Sequence, residues 1–145
     1  MNPKLLALAR QMGLFRYQME WLEKPDRYKI ALWSRQTGKD YTCAAEAVLC
    51  SLATPGSTWL ILAASERQAV ESLEKARGWA ERLRAATGAS WRASTREIRF
   101  GNGSRIRALP GRPETVRGFS ANVILTEFAF HEHQEELWRA VFPMV

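Results

Sequence analysis

Residues 58–63, Thr-Trp-Leu-Ile-Leu-Ala, form an unbroken apolar run. A strand with one wet face alternates polar and apolar residues, so a run without alternation describes a strand covered on both faces. The next segment supplies one of those covers. Ser65 with Gln68 three residues on forms a capping box. Ala69, Leu73, Ala76, Ala80 and Leu83 then recur at helical spacing on one face, and Gly88 supplies the stop. A doubly covered strand followed by an amphipathic helix is the repeating unit of an α/β fold with a mainly parallel sheet flanked by helices.

The rest of the chain fits that class. Short helices are expected over residues 3–12 and 16–24, the first opened by Pro3 and the second stopped by Pro25. Tyr28 to Trp33 reads as a strand, followed by Ser34-Arg35-Gln36-Thr37-Gly38-Lys39 and an Ala-rich helix from about Asp40 to Ala53. Residues 90–109 switch to a period of two. They predict an inserted β-hairpin with Ile98, Phe100, Ile106 and Ala108 inward, arginines outward and a turn at residues 101–104. Asn122 to Thr126 reads as another buried strand, ending at acidic Glu127, with a last helix near residues 132–141.

With 145 residues, 46% of them hydrophobic, the chain can build one ordinary core, and no repeat or linker divides it. The apolar runs are strand-sized, far short of the ~20 residues that cross a bilayer. The N-terminal apolar stretch is too short for a signal peptide, so no membrane partner and a soluble intracellular protein are expected. Cys43 and Cys50 lie seven apart on an expected helix, ~10 Å along its axis, too far for a disulfide. They read as reduced thiols.

The formal charge of +6 suits a polyanionic partner. Its placement is informative: seven arginines between Arg92 and Arg117 face only Glu97 and Glu114. Such a hairpin suits a DNA backbone, although outward arginines also make an ordinary solvated face. His131 and His133 flank Glu132, but their spacing does not place two ligands on one helical face, and no metal site is expected there.

Strand, Ser-Arg-Gln-Thr-Gly-Lys, helix is the grammar of a phosphate-binding loop. Backbone N–H groups of a tight turn and a helix N-terminus converge on phosphate, the glycine permits close approach, and the lysine neutralises the β/γ oxygens. Alone, Gly38-Lys39 equally fits a plain loop with Asp40 as a helix cap. Trp33 stands where the first glycine of such loops would be. Downstream, Val123-Ile124-Leu125-Thr126-Glu127 has the form of a second nucleotide-site strand, with polar groups at its carboxyl end, where ligands of open α/β sheets sit. An acidic residue there can take a proton from a water attacking the γ-phosphate.

Tyr17-Gln18, Ser34–Lys39, the Trp59–Ala64 strand, Arg117-Gly118-Phe119, and Val123–Glu127 followed by Phe128-Ala129-Phe130 occur in that order. Together they resemble the ATPase domain of the large terminase subunit of tailed bacteriophages, over about residues 14–142. That family commonly carries arginine within the loop and lacks its first glycine. The resemblance implies a P-loop NTPase-like fold that binds ATP and Mg²⁺. It assigns Gln18 to the adenine edge; Ser34, Arg35, Gln36, Thr37, Gly38, Lys39 and Asp40 to the phosphates; and Glu127, with Arg35 and Lys39, to hydrolysis.

Two positions depart from the family pattern. Asp40 replaces the usual magnesium-ligating hydroxyl, and Thr126 replaces the aspartate before the catalytic glutamate. The carboxylate and hydroxyl have then exchanged sides of the metal, keeping two hard oxygen ligands, or the site has decayed.

The resemblance further implies double-stranded DNA, the phage portal and the small terminase subunit as partners, a homo-oligomeric ring, and the cytoplasm of a bacterial host. On this reading residues 1–27 are N-terminal helices carrying the adenine-reading glutamine, and residues 28–145 an α/β core lacking its last strand and the nuclease domain. A helicase-like nucleic-acid-stimulated ATPase and a non-catalytic nucleic-acid- or protein-binding remnant are the alternatives.

Overall fold

The structure is a computed structural model describing residues 1–116 and 118–145. These form helices α1 (Pro3–Gln11), α2 (Arg16–Glu23), α3 (Lys39–Ala53), α4 (Glu66–Thr87), α5 (Pro113–Val116) and α6 (Gln134–Val141). The strands are β1 (Thr58–Ala63), β2 (Trp91–Ser94), β3 (Glu97–Phe100), β4 (Arg105–Pro110) and β5 (Asn122–Leu125). They build one sheet in the order β2-β3-β4-β1-β5. The doubly apolar run, β1, sits between parallel neighbours β4 and β5, whereas β2 and β3 add antiparallel to β4. The sheet is therefore mixed, with its parallel part around the site and the hairpin at the far edge.

One face of the sheet is buried by α3 and α4. Ile61, Ile98, Ile106 and Ala108 from the strands meet Val48, Leu49, Leu73, Ala76, Trp79 and Leu83, and α1 and α2 seal the outside of α3. On the other face Leu60 and Leu62 pack under Val116, Leu137 and Val141, so α5 and α6 cover only the part beside β5. Helix α4 begins and ends where its local signals place it: the Ser65 hydroxyl accepts the Gln68 N–H, and Gly88 closes it in the left-handed conformation.

Two expectations need correction. Tyr28 to Trp33 forms no strand, because no neighbour among the described residues pairs with it, and Ile30 and Leu32 are 84% and 91% exposed. Side chains hold this segment instead. Lys29 Nζ meets Glu46 Oε1 at 2.5 Å and donates to the Trp21 carbonyl at 3.0 Å, while Trp33 makes edge contacts with Tyr17 and Trp21. Second, β5 is not a buried strand. It is the sheet's edge, and its four residues are exposed or half-buried. The Thr95-Arg96 turn that creates β2 and the one-turn helix α5 were not legible in advance. No helix among the described residues is long and apolar enough to cross a membrane.

Candidate nucleotide site at the carboxyl ends of the strands

The segment between Trp33 and α3 is a tight turn. Gln36 at φ 60 and Gly38 at φ 79 both take the left-handed region. At Gly38 a side chain is disfavoured on two counts: the positive φ, and Gln18 Nε2, which would lie 2.6 Å from an added Cβ. The turn is tied from within by the Thr37 hydroxyl, donating to the Ser34 carbonyl at 2.7 Å. From outside, the Tyr17 hydroxyl and Gln18 Nε2 both donate to the Thr37 carbonyl, at 2.8 and 3.3 Å.

Helix α3 starts at Gly38 with no side-chain cap. Its first N–H groups therefore carry no side-chain acceptor, an arrangement that suits an anion. Lys39 folds back over the turn, Nζ donating to the carbonyls of Trp33 and Ser34 at 3.1 and 3.2 Å. Arg35 is exposed, with no ion pair among the described residues. Asp40 does not cap the helix. Its Oδ2 accepts from Lys75 Nζ of α4 at 3.0 Å, and Oδ1 has no hydrogen-bond partner among the described residues.

Gln18 is buried, with Oε1 accepting the Phe15 N–H at 2.9 Å. One end of the amide thus caps α2 at Phe15, and the other, Nε2, ties that helix to the loop at Thr37. Only displacement of one of these bonds frees it for a base edge.

The second half of the site follows β5. Thr126 is buried; its N–H donates to the Leu62 carbonyl at 2.9 Å and its hydroxyl to the same oxygen at 3.3 Å. His131, also buried, donates from Nε2 to the Thr126 carbonyl at 2.9 Å, and its ring fills the space over Gly111. Glu127 adopts the left-handed conformation at φ 48, uncommon for a residue with a Cβ. Its Oε2 accepts from Gln68 Nε2 at 3.2 Å.

Gln68 and Lys75 both belong to α4 and lie seven residues apart. They therefore share a helix face, separated by about two turns or ~10 Å. One face of α4 thus holds the start of α3, through Asp40, and the carboxylate of Glu127. Neither Gln68 nor Lys75 was read from the sequence as a site residue, since their partners lie 59 and 35 residues away. Arg117, the first residue of the Arg-Gly-Phe motif, lies outside the described residues.

The oxygens of Asp40 and Thr126 are hard donors of the type Mg²⁺ takes. Asp40 retains a carboxylate oxygen, and Thr126, having donated its proton, retains lone pairs. No group of three or more metal-binding side chains is preassembled among the described residues.

Comparison with known proteins gives the following. Residues 30–145 match the family described as terminase large subunit, T4likevirus-type, N-terminal. The Mu-like prophage FluMu protein gp28 of Haemophilus influenzae is 29% identical over 98% of this chain, and the probable terminase, large subunit gp28 of Escherichia phage Mu is 30% identical over 88%. The chain spans 30% and 26% of the length of those two relatives. The large terminase ATPase domain of Thermus phage P74-26 superposes with a TM-score of 0.82 at 23% identity, covering 99% of this chain and 64% of that one.

Proposed function

The chain belongs to the terminase large subunit family, matching its N-terminal part, and from that membership we propose that it forms the ATP-binding and ATP-hydrolysing unit of a viral motor that drives double-stranded DNA into a capsid. The observation that carries this reading is the shared face of α4, against which the uncapped loop-helix start and Glu127 are both held.

In this reading the turn at Ser34–Gly38 and the first N–H groups of α3 cradle the phosphates, with Gln36 and Thr37 supplying backbone. Lys39 exchanges its two carbonyl partners for the β/γ oxygens, a stronger charge-assisted interaction. Arg35 reaches the γ-phosphate, and Gln18 meets the adenine edge. Glu127 orients the attacking water and accepts its proton. Asp40 and Thr126 would hold Mg²⁺, which neutralises developing charge on the phosphates. DNA, a portal, a small subunit and assembly into a ring are the partners that this function requires, in the cytoplasm of a bacterial host.

Thermal protection of the full chain by ATP tests nucleotide binding, because a ligand at a hundred times its Kd stabilises by about 2.7 kcal/mol. Protection lost in Lys39→Ala, together with turnover lost in Glu127→Gln while protection persists, is the expected result. No protection of the wild-type chain would overturn the reading in favour of a remnant without nucleotide. The pairing of Asp40 with Lys75 is the observation that favours that second reading.

A further inference from the structure

The sheet face covered by α5 and α6 beside β5 is left open over the hairpin, and what lies on the open part is a row of like charges. The strand register pairs Arg92 directly with Arg99, and Arg99 directly with Arg105. Like charges placed opposite one another destabilise a sheet. The next row on this face holds Ser94, Glu97 and Arg107, and Glu97 answers Arg99 at 2.6 Å and Arg107 at 3.8 Å. Arg92 has no ion pair among the described residues, and Arg105 only donates to the Thr58 hydroxyl at 3.3 Å. Arg92, Arg99 and Arg105 line a cavity of about 630 Å³ with Thr58 and Gly103.

This cavity lies at the amino ends of β1 and β4, whereas Glu127 follows the carboxyl end of β5. Five strand steps separate those ends, ~17 Å. It is therefore separate in position from the candidate nucleotide site. The three arginines are borne on adjacent strands, with backbones ~4.8 Å apart, so the row runs across the sheet as an elongated basic stripe, a shape that suits a chain of phosphates better than a single anion.

We propose that the Arg92–Arg99–Arg105 row is a contact surface for the phosphodiester backbone of duplex DNA. The choice of DNA among polyanions rests on the packaging function proposed above; the row itself rests on the strand register alone. Contacts of this kind fix position without reading sequence.

The test is binding of random-sequence duplex DNA to the full chain, by fluorescence anisotropy across a NaCl series, for wild type, Arg92→Gln/Arg105→Gln and Arg92→Lys/Arg105→Lys. Removing two phosphate contacts is expected to weaken binding ~60-fold near 0.1 M salt and to reduce the salt slope by about 1.8. The lysine variant should retain both. The glutamine variant should melt no lower than wild type, since it relieves like-charge pairing. ATP protection in the same variants separates the two sites: it should be unchanged, and its absence even in wild type would count against the nucleotide reading alone. An unchanged DNA affinity and slope in the glutamine variant overturns the proposal. Equal binding of poly-glutamate also overturns it, in favour of an acidic polypeptide.

Discussion

Lys75 Nζ and Asp40 Oδ2 meet at 3.0 Å, with both side chains about one-third exposed. This pair joins the first turn of α3 to the middle of α4, at the position where a phosphate loop normally presents a hydroxyl to magnesium. A partly exposed pair of this kind contributes about 0–1 kcal/mol, so its value to the fold is small.

That smallness makes Asp40 testable. Asp40→Ala is expected to shift the melting temperature by no more than a few degrees and to abolish the Mg²⁺ dependence of ATP protection. Lys75→Ala should leave that dependence in place. Unaltered Mg²⁺-dependent protection in Asp40→Ala would reduce Asp40 to an ion-pair partner.

Gly38→Ala carries two penalties. The left-handed φ of 79 costs an alanine roughly 1–2 kcal/mol, and the new Cβ would lie 2.6 Å from Gln18 Nε2. Gly13, at φ 84 with open space around its Cβ position, isolates the first penalty. Melting curves should therefore fall further for Gly38→Ala than for Gly13→Ala. Measured within a Gln18→Ala background, which removes that contact, Gly38→Ala should cost no more than Gly13→Ala does in wild type.

Glu127 and Gln68 should separate chemistry from binding. Glu127→Gln is expected to lose turnover with ATP affinity intact. Gln68→Ala, which frees the carboxylate from its 3.2 Å partner, should lower kcat several-fold with little change in KM. A change in KM alone would limit Gln68 to capping α4.

Burial, assisted by Glu46, pushes the Cys43 thiol up to about 12 and the Cys50 thiol up to about 11. Above the unfolded-state value near 9, the unfolded chain loses these protons first. The native state then binds more protons, and stability falls as pH rises, by about 1.4 kcal/mol per pH unit for each thiol, until the folded values are passed. Urea unfolding between pH 8.5 and 11 should show a steeper loss for wild type than for Cys43→Ala.

How much of this was legible in the sequence depends on where each signal resides. Helix α4, its capping box and its glycine stop follow from residues within a few positions of one another. So do the inward face of the hairpin and the turn at Gly38, where backbone conformation selects the residue. Each of these emerged as read, because helix periodicity and turn chemistry are local. Tyr28–Trp33 has the apolar pattern of a strand, but a strand exists only where a neighbour accepts its hydrogen bonds. Here Glu46 and the aromatic rings of α2 hold the segment instead. The same limit applies to β5: its apolar residues predict a strand, and only the sheet order places it at the edge. Pairing register put three arginines in one row, and the face of α4 brought Lys75 to Asp40 and Gln68 to Glu127. The chain alone determined where the long helices start and stop, where the hairpin turns and which of its residues face inward. Tertiary packing decided which distant charges meet, because such contacts are set by how helices and strands seat against one another.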